Sequence, residues 1–222
     1  MGLRLSAVVT TLDNAATLDT CLASLRFCDE IVLLDSGSTD GTLEIARRHV
    51  ARIAMQPFAG YGPQKQAAID LAEGEWILLL DADESLTDDG RATSLRELAA
   101  PRADGYRLPR REWLFWRWPH PATRPNWQLR LFRKARGRMN SVPVHAAPVV
   151  EGAVIDLDAP FRHYGEPRLA DRVDKINRYS SGLLEHKRGK PVRFIGLRLL
   201  VYPSLVFLKL YVAKRYFLNG WA

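Results

Sequence analysis

The chain has 222 residues, a formal net charge of +7 and two cysteines, Cys21 and Cys28. That length fits one domain with an appended piece, and it buries a core without disulfide staples; the two thiols make no disulfide framework and read as cysteines of a reducing compartment. Residues 1–90 hold 6 basic and 15 acidic side chains, a balance of −9, whereas residues 91–222 hold 26 and 10, a balance of +16. The second part is therefore expected to face an anionic partner: nucleic acid, a phosphorylated glycan or an anionic membrane surface.

Met1 to Leu5 carries one Arg and no long apolar region, so no leader is expected. Leu5-Ser6-Ala7-Val8-Val9-Thr10 reads as an interior first strand ending at Thr10. Asp13, Asn14 and Thr17 are helix-start residues, followed by Leu18, Cys21, Leu22 and Leu25 at helical spacing. Ile31 to Leu34 makes a second strand. Thr39 or Asp40 then caps a helix with apolar positions Leu43, Ile45, Ala46 and Val50. Arg52 to Gln56 predicts a third strand, Gly60-Tyr61-Gly62-Pro63 a turn, and Gln64 to Leu71 a helix carrying Lys65. Gly74 stops that helix, and Trp76 to Leu80 is the fourth strand. Such alternation predicts an α/β domain with a mostly parallel sheet. Right-handed crossovers put the strand C-termini on one edge, where open α/β sheets bind ligands. Asp35, Asp81 and Asp83 are all expected there.

The texture changes after a helix predicted over Thr87 to Ala100. Gly105 to Pro109 and Trp127 to Phe132 alternate as strands do, and Arg111 to Asn126 between them is rich in Trp, Pro and Arg. That segment is expected to be an ordered loop near an acceptor: aromatic rings suit sugar faces, and arginines suit phosphates. Val154 to Phe161 predicts a last strand. From Pro167 to about Lys187, Leu169, Val173, Ile176, Leu183 and Leu184 fall at helical spacing, an amphipathic helix expected to pack on the core. The tail from Phe194 to Trp221 is dense in Leu, Val, Phe and Tyr. Its longest uncharged run, Leu199 to Leu208, is short of the roughly 20 apolar residues of a bilayer span. An interfacial helix with its Lys and Arg at the headgroups is expected instead.

Asp81-Ala82-Asp83, directly past an apolar strand, can grip a hard divalent cation such as Mg²⁺ or Mn²⁺ that also takes phosphate oxygens. Asp35 at its own strand end can accept from a nucleobase or ribose, and Lys65 can reach a nucleotide. The run Val-Leu-Leu-Asp35-Ser36-Gly37-Ser38-Thr39-Asp40-Gly41-Thr42, followed by Leu80-Asp81-Ala82-Asp83-Glu84, resembles the family 2 glycosyltransferases of GT-A fold. The resemblance implies a GT-A domain over residues 1–165, with a nucleotide-binding half (1–90) and an acceptor half (91–165). A helical, membrane-associating tail (166–222) follows. It implies that Asp35 binds the base, usually uracil, with Thr10, Ser36 and Lys65 beside the nucleotide. Asp83 would bind the metal, and Asp81 would lie by the ribose or the metal. The reaction implied is a single displacement with inversion.

Trp127 to Phe132, Val144-His145, His163-Tyr164, Lys175 to Ser180 and Phe217 to Gly220 are similar to the subgroup acting on lipopolysaccharide core, β-glucosyltransferases among them. The chain departs from that pattern twice: Ala146 stands where a Glu is expected, and Asn126 where an Asp is expected. Either acid could have served as general base, so Glu112 and His145 are left as candidates for that role. His145 or His163 could instead be a third metal ligand. The function implied is transfer of a hexose from a UDP-sugar, UDP-glucose first among them, onto a lipid-linked glycan at the inner face of the inner membrane. Transfer to polyprenyl phosphate and a non-catalytic donor-binding protein are the other readings. Nucleic acid ranks last, because the acidic strand-end cluster would repel phosphate unless a metal intervened.

Overall fold

The computed structural model describes residues 4–49, 52–113, 117–142, 146–165, 169, 170, 173, 174, 176, 177, 180, 181 and 194–220. The chain forms two compact units, one of Met1–Arg110 with Trp127–Tyr164, the other of Arg111–Asn126 with Gly165–Ala222. The chain runs β1 (Leu5–Thr11), α1 (Leu18–Ser24), β2 (Glu30–Asp35), α2 (Thr42–Arg48), β3 (Arg52–Met55), α3 (Tyr61–Leu71) and β4 (Trp76–Asp81). It continues through β5 (Glu84–Leu86), α4 (Asp88–Ala99), β6 (Gly105–Glu112) and β7 (Asn126–Arg133). β8 (Gly137–Met139), β9 (Pro148–Val150), β10 (Val154–Asp156) and β11 (Phe161–His163) complete the strands.

The main sheet has the order β3-β2-β1-β4-β7-β6-β11-β5, with β10 pairing β6, and β8 and β9 form a separate ribbon. β1 to β4 are mutually parallel, while β7 runs antiparallel to β4. The apolar runs explain the burial on both faces. Ala7, Val9, Leu33, Leu78 and Leu80 point into a core with Leu18, Leu22 and Ala46 of α1 and α2. The alternate residues Val8, Val32, Leu34, Ile77 and Leu79 join Ala68 and Ile69 of α3 on the other face. Each Val, Leu or Ile side chain among them, fully withdrawn from water, is worth about 1.5–3 kcal/mol before entropy is counted.

Several expectations are corrected. Gly60 to Pro63 is not a free turn: α3 begins at Tyr61, and Pro63 sits in its first turn, where the missing N–H has no acceptor to lose. The strand expected over Val154 to Phe161 is two, β10 and β11, because the stretch through Pro160 carries no ladder; there the Ala159 N–H turns back onto the Leu157 carbonyl at 2.7 Å. Of the amphipathic helix expected after Pro167, the described residues Leu169, Val173 and Ile176 are exposed rather than packed on the core. In the tail, α5 (Ile195–Leu208) passes directly into a π turn over Lys209–Ala213. The joined stretch Ile195–Ala213 has 19 residues, a mean hydropathy of 1.6 and nothing buried, so its length and composition suffice to cross a bilayer. The helical stretch is longer than the uncharged run Leu199 to Leu208, since Arg198 and Lys209 do not interrupt it.

Candidate active site

Parallel pairing brings the acidic strand ends to one edge of the first unit. Thr11 of β1 stands opposite Asp35, which stands opposite Met55, and Thr10 stands opposite Asp81. Asp35 and Asp81 therefore flank the end of β1, one strand away on either side.

Asp35 is fully buried and shapes the turn that follows it. Its Oδ2 accepts from the Gly37 and Ser38 backbone N–H groups at 2.8 Å each, and its Oδ1 accepts from the Ser38 hydroxyl. Gly37 has φ of +103°, a conformation that favours glycine, which is why the turn can fold back so tightly. The Ser36 hydroxyl accepts from the side-chain amide of Gln64 at 3.1 Å, tying the loop to α3. Thr39 and Asp40 act structurally: the Thr39 N–H donates to Asp13, and Asp40 accepts from the Thr42 and Ala15 N–H groups.

Asp81 is held between two cations. The Lys65 ammonium pairs with its Oδ1, and the Arg130 guanidinium lies 3.3 Å from its Oδ2. Withdrawal from water opposes ionisation, but Lys65 and then Arg130 outweigh it and hold the carboxyl well below the usual carboxylate range. Arg130 also lies 2.6 Å from Oε1 of Glu84, a fully buried carboxylate whose Oε2 accepts from the Asp81 N–H at 3.0 Å. Burial pushes the Glu84 carboxyl up, against the pull of the guanidinium. Asp83 lies beyond this group: its Oδ2 is 3.2 Å from Nε2 of His163, and its carbonyl accepts from the Tyr164 N–H at 2.9 Å. Burial disfavours charge on His163, yet the bond to Asp83 lifts its pKa above the ordinary histidine value.

The structure thus gathers Thr10, Asp35, Ser36, Lys65, Asp81 and Asp83 at one edge. Glu112 is the last residue of β6, and His145 lies outside the described residues. Sequence reasoning missed the site roles of Glu84 and Arg130. The available signal was a basic residue set between Leu129 and Leu131 in a strand otherwise bound for the interior. Among the described residues, no three His, Cys, Asp or Glu side chains are gathered as a ready metal cluster. The oxygens of Asp81 are committed to Lys65 and Arg130. Among the described residues, Asp83 and His163 form a carboxylate–imidazole pair whose chemistry fits a divalent cation, oxygen with imidazole suiting Mn²⁺ in particular.

A family model described as glycosyl transferase family 2 matches residues 6–149. The chain is 34% identical, over 94% of its length and 81% of the relative's, to the lipopolysaccharide core biosynthesis glycosyltransferase LpsC of Rhizobium meliloti. It is 28% identical, over 98% of its length and 82% of the relative's, to an uncharacterized glycosyltransferase of Rickettsia felis. Among solved structures, the fold matches S. aureus TarS 1–349 in complex with UDP, with a TM-score of 0.55 at 16% identity, over 82% of this chain and 65% of that one. It matches glucosyl-3-phosphoglycerate synthase from Mycobacterium tuberculosis with the same TM-score and identity, over 86% of this chain and 82% of that one. The domain has the GT-A fold, and with its motifs at the expected sheet edge the chain belongs to glycosyltransferase family 2.

Proposed function

We propose that the protein is an inverting hexosyltransferase that moves glucose from UDP-glucose onto the lipopolysaccharide core or a related envelope glycan. The acceptor hydroxyl would attack the anomeric carbon of the α-linked sugar as the bond to UDP breaks, leaving a β-linkage. The observation that carries this reading is the convergence of Asp35, Asp81 and Asp83 on one edge, with Lys65 and Arg130 among them. Asp35, Thr10 and Ser36 hold the uridine. Lys65 and Arg130 fix Asp81 beside the ribose. Asp83 with His163 would hold Mg²⁺ or Mn²⁺, which when bound neutralises charge on the departing diphosphate. Glu112 and His145 are the candidates for removing the acceptor proton. The likeness to LpsC along most of the chain supports the lipopolysaccharide acceptor, as does the basic second part, which suits a phosphate-rich glycan. The setting is the cytoplasmic face of the inner membrane, with peripheral contact.

Ala146 and Asn126, where the subgroup pattern has acids, favour a second reading: a protein that binds the donor and transfers nothing. Incubation with radiolabelled UDP-glucose and truncated core acceptor, beside calorimetry with UDP, separates the two. Label in the core product supports transfer, and UDP binding without turnover supports the second reading. Label in a polyprenyl lipid would move the acceptor.

A further inference from the structure

Within the second unit, the helical stretch Ile195–Ala213 is 19 residues long, roughly 28 Å at the helical rise and close to the thickness of a bilayer core. Its exposed side chains include Leu197, Leu199, Leu200, Leu205, Phe207 and Leu208, which point in every direction around the axis. An uncovered helix that is apolar around most of its circumference belongs against lipid. Length and composition alone would make it a span.

The way its C-terminal end is held argues otherwise. Asn219 is buried, and its Oδ1 accepts from the His120 backbone N–H at 2.7 Å and the Thr123 hydroxyl at 3.3 Å. The Lys214 ammonium donates to the Pro125 carbonyl at 3.0 Å, and the Lys214 carbonyl accepts from the Arg124 N–H at 3.1 Å. This end is sewn to a segment whose chain leads from Arg124 into β7 within two residues, and from Arg117 back to β6. It is therefore on the side of the membrane where those strands are. The other end, Phe194, follows residues 166–193, of which 12 in 28 are Asp, Glu, Lys or Arg. Such a stretch does not cross hydrocarbon. Both ends of the helix are on one side.

We infer that α5 and its π turn form a monotopic anchor lying in the plane of an anionic bilayer surface, with Asn219 the clasp that fixes segment 117–126 at headgroup level. Arg198, Tyr202 and Lys209 fall within a sector of roughly 40° on a helical projection, a narrow polar stripe for the headgroups. Segments 111–126 and 194–220 together carry seven Lys and Arg and one Glu. Trp113 and Trp118 pack edge to face at 5.0 Å, and Tyr211 lies between Phe207 and Phe217 at 5.1 and 5.9 Å. Aromatic rings of this kind favour the membrane–water boundary. The inference rests on the membrane contact proposed above but not on the sugar chemistry.

The test therefore uses neither sugar nucleotide nor metal. Full-length protein is added to preformed vesicles of phosphatidylglycerol with phosphatidylethanolamine, or of phosphatidylcholine alone. It should sediment with the anionic vesicles, and each stripe charge removed by Arg198→Gln or Lys209→Gln should weaken binding about fivefold. Failure to bind anionic vesicles overturns the inference. In a Cys28→Ser background, an impermeant thiol reagent added outside should label both Phe194→Cys and Ala213→Cys on bound protein. Protection of either until detergent is added overturns the in-plane placement. Asn219→Ala should keep vesicle binding and lose amide-exchange protection across 117–126, with Lys214→Met as the second variant should the first not fold. Unchanged protection in the folded variant overturns the clasp.

Discussion

The guanidinium of Arg130 stands 2.6 Å from the carboxylate of Glu84, and Glu84 has no exposure to water. Removing one partner of such a pair strands a buried charge. Arg130→Met should lower unfolding free energy by about 3–5 kcal/mol, read from the denaturant midpoint. Pairing it with Glu84→Gln should recover part of that loss, since neither charge is then left alone. If the double variant were no more stable than Arg130→Met, the pair would not be the source of the loss.

Asp81 and Asp83 differ in their partners, and the difference predicts different kinetics. Asp83→Ala removes the carboxylate beside His163, and transfer should fall by about two orders of magnitude or more with the fold intact, the several kcal/mol a bound metal supplies. Asp81→Asn instead releases Lys65 and Arg130 from their shared partner, so its main cost should appear in donor affinity. Steady-state rates with circular dichroism on each variant would test the contrast. Equal losses in kcat for both would put both carboxylates on the metal.

Exhaustive chelation should abolish turnover, and adding back Mn²⁺ or Mg²⁺ should restore it. His163→Ala should shift the preference away from Mn²⁺, the better match for an imidazole ligand. Activity that survives chelation would leave Lys65 and Arg130 as the counter-charges to the diphosphate.

Much of this arrangement was legible in the residues, and the limits have physical causes. Ile77 to Leu80 and Val32 to Leu34 are continuous apolar runs, so their burial and the carboxylates at their ends followed from pattern alone. Glu84 meets Arg130 across 46 residues of chain, through an antiparallel β7 whose place beside β4 no local periodicity announces. Gly60 to Pro63 has turn composition, but a helix tolerates proline in its first turn, so the same letters open α3. The clasp at Asn219 joins residues 96 and 99 apart, beyond any local signal.

Glu97 gives the acid limb of stability a definite sign. Hydrogen bonds from Arg102 hold its carboxyl below the ordinary glutamate value. A carboxylate with a lowered folded pKa stabilises the fold fully above its unfolded value, about 4.3, and the contribution is lost as pH falls through the folded value. Glu97→Gln should therefore flatten the decline of thermal stability between about pH 5 and pH 3. A variant whose acid limb matches the parent's would show that the Arg102 contact does not persist in solution.

Gly74 lies at the opposite end of β4 from the site, and a side chain there has nowhere to go. A Cβ would stand 2.5 Å from the Ser6 hydroxyl, 2.7 Å from the Ser6 nitrogen and 2.8 Å from the Arg4 carbonyl, and backbone cannot step aside as a flexible side chain can. The Gly74 N–H also donates to the Ser6 hydroxyl at 2.8 Å, so relieving the clash would break a buried hydrogen bond. Gly74→Ala should cost about 1–3 kcal/mol, lowering the melting temperature by about 2–4 °C per kcal/mol in a chain of this size. Well below that temperature turnover should be unchanged, because Trp76 to Asp81 sets the disturbed end roughly 17 Å from the carboxylates at the strand rise. A loss of kcat with no fall in melting temperature would mean that strain at Gly74 travels along β4 to Asp81.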